Sequence, residues 1–234
     1  MGITFLTDPD EAVKEIRRNA ERGFTSVSLP ERPQRIGLPS LFSGYWDPIV
    51  RACAETDTVI SLHVGSSGQY DAPEDAGPKR MQLASTLFGQ LALTAAAEWL
   101  WSGYPVKHPD LKIAMSEGGI GWVAMLVERL DGICDRGGYG SQGAGEMRPA
   151  DVLRRNFWFC TIEDVAAMET RSTIGVENIC VEVDYPHGDS TWPDTQAVIE
   201  TRWGHLPAHE LRMICSENAA GLYRVRLPDV VLPQ

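Results

Sequence analysis

Four side chains able to bind a metal ion or move a proton stand where apolar runs of this chain break off. His63 closes the run Thr58-Val59-Ile60-Ser61-Leu62-His63, and Glu117-Gly118-Gly119 follows Leu111-Lys112-Ile113-Ala114-Met115-Ser116. Asp184 and His187 follow Ile179-Cys180-Val181-Glu182-Val183. Neutral imidazole and carboxylate are ligands that zinc and manganese accept, so His63 and Asp184 are candidate metal ligands. The two glycines after Glu117 let backbone approach a ligand closely, which makes Glu117 a candidate general base. A plainer role stands beside each of these. His63 also reads as a hydrogen-bonded core histidine, Asp184 as a turn or helix cap, and Glu117 as a rim carboxylate capping the next helix. Ser66 and Trp192 are the candidate substrate contacts. Gly65-Ser66-Ser67-Gly68-Gln69 misses the GxSxG pattern by one residue and reads as a turn-forming serine pair, while Trp192 lies in the loop after Asp184.

The elements that must position these residues alternate. Strand-like runs are expected at Gly2 to Leu6, Phe24 to Leu29, Thr58 to Val64, Leu111 to Ser116, Phe157 to Thr161 and Ile179 to Val183. A helical segment follows each. Asp8-Pro9-Asp10-Glu11 supplies an N-cap, a proline at the first helical position and a capping-box carboxylate. Asp47-Pro48 opens a second helix, a long helical region runs from about Lys79 to Trp101, and another spans Gly121 to Ile133. Repeated β-α units with near-continuous apolar strands imply an α/β fold with a parallel sheet, in which the loops at the C-terminal strand ends build the site. Gly138-Tyr139-Gly140-Ser141-Gln142-Gly143 matches GxGxxG, but it follows a helix rather than a first strand and reads as a loop. His108 precedes its strand and belongs to the opposite rim; His205 and His209 bracket a turn between helices.

The bulk properties narrow the partners. A single domain over 1-234 fits the length. The formal charge of -11 is spread along the chain, which argues against nucleic acid and anionic membrane as partners. The five cysteines are odd in number and never form CxxC, as expected of reduced thiols in a cytoplasmic protein. No segment reads as a signal peptide or a transmembrane span.

His63-Val64-Gly65-Ser66-Ser67-Gly68, Ser116-Glu117-Gly118-Gly119-Ile120-Gly121-Trp122, Asp184-Tyr185-Pro186-His187-Gly188-Asp189-Ser190-Thr191-Trp192-Pro193 and Asn218-Ala219-Ala220-Gly221-Leu222-Tyr223 together resemble the amidohydrolase-related family. This group includes aminocarboxymuconate-semialdehyde and resorcylate-type decarboxylases. The resemblance covers essentially the whole chain. It implies a (β/α)8 TIM barrel binding a divalent metal, zinc or alternatively manganese, with His63 as the fifth-strand ligand and Asp184 as the eighth-strand ligand. It further implies that Glu117 shuttles a proton where the decarboxylases carry a histidine, and that His187 orients substrate beside the metal. The activity implied is hydrolysis or nonoxidative decarboxylation of a small carboxylate- or carbonyl-containing molecule. The six runs then correspond to strands three to eight, and no first-strand His-x-His or Glu-x-His occurs in the sequence. A barrel incomplete at its N-terminus is therefore expected. It is either part of a longer protein, or a catalytically inactive barrel serving as an interaction module that forms a homodimer or binds a partner.

Overall fold

Asp8 caps the first helix through its side chain, accepting from the amides of Asp10 and Glu11 at 3.2 and 3.1 Å, and Pro9 occupies the first helical position. In this computed structural model, which describes residues 1–68, 72–137, 147–188 and 190–228, the cap starts α1, Pro9–Glu21. Five strands follow: β1, Ser26–Leu29; β2, Val59–His63; β3, Ile113–Ser116; β4, Phe157–Thr161; and β5, Ile179–Val181. All neighbouring pairs are parallel, in the order β1-β2-β3-β4-β5. Between them lie α2, Asp47–Glu55; α3, Arg80–Thr86; α4, Phe88–Trp101; α5, Tyr104–Lys107; α6, Val123–Asp135; α7, Pro149–Asn156; and α8, Arg171–Ile174. After β5 come α9, Thr195–Trp203; α10, Ala208–Arg212; and α11, Asn218–Tyr223.

Sequential order with every strand parallel is that of neighbouring staves in a barrel wall, and the described residues form an open sheet rather than a closed barrel. The six expected strands are five. The run at Gly2 to Leu6 makes one isolated bridge to Val27, with Gly2 N–H donating to Ser26 O at 2.7 Å and Ser28 N–H to Gly2 O at 3.0 Å. Ile3 and Phe5 face solvent, so this run lacks the burial on both sides that stabilises a strand in a parallel sheet. The long helical region also divides, at Leu87. Thr86 turns its hydroxyl back onto Gln82 O at 2.7 Å, an i−4 contact that bends helices. The GxGxxG loop, residues 138–143, lies outside the described residues.

Alternation along the strands sorts side chains onto two faces. Val27, Leu29, Ile60, Leu62, Ile113, Met115, Phe157, Phe159 and Ile179 join the helices in one buried core. On the other face, Val59 and Ala114 pack with Leu222 of α11, against Trp158 and Tyr223. Three asparagines fasten the strand entrances in succession. Asn156 Nδ2 donates to Pro109 O and Leu111 O before β3. Asn178 Nδ2 donates to Arg154 O and Phe157 O at the start of β4. Asn218 Nδ2 donates to Val176 O and Ile179 O at the start of β5. Each amide satisfies two backbone carbonyls that leave the ladder, so the strands start in register and their far ends form one rim.

Candidate active site

The rim brings His63, Glu117, Asp184 and His187 together. His63 is the last residue of β2 and pairs in register with Ser116, so Glu117 begins one residue beyond it. His63 Nε2 lies 3.1 Å from Glu117 Oε2, and His63 Nδ1 lies 2.8 Å from Val64 O. A carbonyl oxygen only accepts, so Nδ1 carries a proton and Nε2 is the nitrogen turned to the Glu117 carboxyl. His187 Nδ1 is 2.8 Å from Asp184 Oδ2. One ligand atom from each of Glu117, Asp184 and His187 lies within 4.8 Å of the others.

Backbone geometry delivers the two carboxylates. Glu117 and Asp184 have φ of 58° and 56°, the left-handed region that non-glycine residues seldom enter. Gly118 lets this turn lie directly on α4, for a Cβ there would come 2.4 Å from the Ala92 methyl. Burial, reinforced by a hydrogen bond with Asp184, raises the Glu117 carboxyl to about 7, against an opposing pull from His63. Asp184 Oδ2 is buried and has no hydrogen-bond partner, although His187 Nδ1 lies 2.8 Å from it. A buried carboxylate oxygen left without a donor fits a cation, and a histidine whose second nitrogen faces a backbone carbonyl fits a metal ligand. The donor set therefore suits a divalent metal.

His63, Glu117 and His187 border a cleft of about 380 Å³ lined also by Met81, Ala84, Ser85 and Phe88 of the α3–α4 region, and Asp184 stands behind them against His187. A larger hollow of about 510 Å³, between Lys112, Arg155 and Trp158, lies at the opposite end of the strands and contains none of the four. Trp192 and Ser66 are placed apart from the cleft lining. Trp192 sits edge-on to Tyr185 at 5.9 Å and borders a separate hollow with Val183 and Pro193. The Ser66 hydroxyl accepts from Glu31 N–H at 3.1 Å, and Ser67 accepts from Arg32 N–H at 2.8 Å. At the end of β4, Asp164 takes the Thr161 hydroxyl and Glu163 pairs with Arg202.

Two further carboxylates, one buried and one half-buried, escaped the sequence reading. Glu31, beyond β1, accepts Gly65 N–H at 2.9 Å, and burial raises its carboxyl. Glu182, just beyond β5, accepts Glu117 N–H at 2.7 Å and is likewise raised by burial. The available signal was a carboxylate inside the apolar run Ile179 to Val183.

The sequence profile of the Amidohydrolase family matches residues 1–225. No curated protein matches the sequence. Among solved structures, an amidohydrolase from Mycobacterium avium subsp. paratuberculosis K-10 superposes with a TM-score of 0.78 at 24% identity, covering 94% of this chain and 57% of its own. The 5-carboxyvanillate decarboxylase of Sphingomonas paucimobilis gives 0.76 at 21% identity, over 97% and 66%. A dihydroxybenzoic acid decarboxylase from Polaromonas sp. JS666, with bound manganese and the inhibitor 2-nitroresorcinol, gives 0.70 at 20% identity, over 96% and 69%. The chain thus spans less than two thirds of the length of the first two.

Proposed function

The chain belongs to the amidohydrolase family, and from that premise we propose that it is a metal-dependent hydrolase or nonoxidative decarboxylase acting on a small carboxylate- or carbonyl-bearing molecule. The observation that carries the proposal is the buried Asp184 Oδ2 without a hydrogen-bond partner, grouped with Glu117 and His187, with His63 against Glu117. Asp184 and His63 would hold zinc or manganese, with His187 beside them; the manganese-bound decarboxylase supports the second metal. A bound ion would polarise a substrate carbonyl or carboxylate, or activate water.

The remaining chemistry belongs to the side chains. Glu117, with its carboxyl brought to about 7, both gives and takes a proton near neutral pH, which is the requirement for a general acid-base group. The neighbouring Asp184 charge favours the protonated form, and His63 favours the ionised one. His187, largely exposed on the cleft wall, reaches toward a substrate oxygen and orients it. Phe88, Ala84 and Met81 offer an apolar wall for the rest of the molecule.

Metal analysis combined with two assays, loss of CO2 from hydroxybenzoates and hydrolysis of small esters and amides, tests the proposal. Stoichiometric metal and turnover in one assay are expected, both lost in Asp184→Ala; a protein that binds no metal would sink the reading. A second reading, a catalytically inactive interaction module, draws on the absence of any His-x-His or Glu-x-His in the sequence. It predicts that zinc and manganese leave the melting temperature unchanged.

A further inference from the structure

Glu117 leaves β3 in the left-handed conformation, and its amide can no longer join the strand ladder. Val64 N–H donates to Ser116 O at 3.1 Å, the last backbone bond between β2 and the end of β3. The Glu117 amide, turned inward by φ of 58°, would be an unsatisfied donor were it not for one side chain. Glu182 Oε2 accepts it at 2.7 Å, the short distance of a charge-assisted bond. Glu182 is itself fixed, since its own N–H continues the β5 ladder by donating to Thr161 O at 2.9 Å.

The sheet order makes this reach unusual. β4 separates β3 from β5, so the Glu182 side chain crosses the top of β4. It meets a backbone amide two strands away. Glu182 lies outside the cleft lining, and its one hydrogen bond to the site is the one to the Glu117 amide. Two residues later the same segment delivers Asp184. A single half-buried carboxylate thus ties together the two tips that carry the site's carboxylates.

We propose that Glu182 is a positioning residue: by accepting the Glu117 amide it holds Glu117 in its left-handed conformation and thereby sets the Glu117 carboxylate against His63 and Asp184. The inference rests on the functional reading for its catalytic meaning and on the hydrogen bond alone for its structural one. Outer residues that orient a metal site typically alter affinity about 10- to 100-fold when removed.

The test compares Glu182→Ala and Glu182→Met, which remove the acceptor, with Glu182→Gln, which keeps an amide oxygen in its place. Two readouts are taken on folded protein: the exchange rate of the Glu117 amide hydrogen by NMR, and the affinity for Co2+ as a spectroscopic probe. Expected are Glu117 exchange at least about 10-fold faster and Co2+ binding weaker by about 10-fold or more in Ala or Met, with both restored to within about 3-fold by Gln. Glu182→Met retains the side chain's length and covers the case in which the alanine variant does not fold. Unchanged exchange in Ala and Met, or a loss in Gln equal to theirs, would overturn the proposal. If wild-type protein binds no Co2+, the metal reading fails while the amide exchange still decides the role of Glu182.

Discussion

Glu117 shows how one side chain links stability to chemistry. In metal-free protein it keeps its proton to about pH 7, whereas an unfolded chain releases it near 4.5. The folded state therefore binds more protons between those values, and stability falls as pH rises through that window. Glu117→Gln removes the dependence. Urea unfolding in chelator at pH 5 and pH 8 is expected to show a smaller drop in the variant, by on the order of 1–2 kcal/mol after allowance for water reaching the cleft. At this scale the sequence was informative wherever an apolar run stopped. His63, Glu117, Asp184 and His187 each follow such a run, and the fold gathers them because every run ends on the same rim. Glu31 and Glu182 stayed hidden, since their partners are backbone amides of distant loops, and only the fold decides which amides lose their ladder bonds.

The elements follow from local signals where those signals suffice. The Asp8-Pro9 cap and the Asp47-Pro48 start are both realised, the first through a side-chain cap and the second without one, because the fixed φ of proline suits a first helical turn. Gly2 to Leu6 has a strand's composition but only a bridge's pairing, because a strand also needs a neighbour along its length. The division at Leu87 was equally illegible, as it depends on where Thr86 directs its hydroxyl. The asparagine fasteners show the same limit: nothing in the sequence marks Asn178, yet its amide closes two backbone carbonyls at the start of β4. Asn178→Ala is expected to destabilise the fold by about 2 kcal/mol, read as a lower urea midpoint with unchanged slope.

For the molecule as a whole, the proposed metal site would couple metal to fold. Ligation confined to the folded state stabilises by about 2.7 kcal/mol at a metal concentration 100 times the dissociation constant, so zinc or manganese is expected to raise Tm in wild-type protein and not in Asp184→Ala. No helix among the described residues is long and apolar enough to cross a membrane. The left-handed backbone at Glu117 and Asp184 has a consequence for stability. Glycine tolerates that conformation and glutamate does not, a difference of about 1 kcal/mol. Glu117→Gly is therefore expected to raise the melting temperature of the metal-free chain while abolishing activity. The Glu117 side chain thus holds its position at a cost to the scaffold, one that the proposed chemistry rather than the fold would account for.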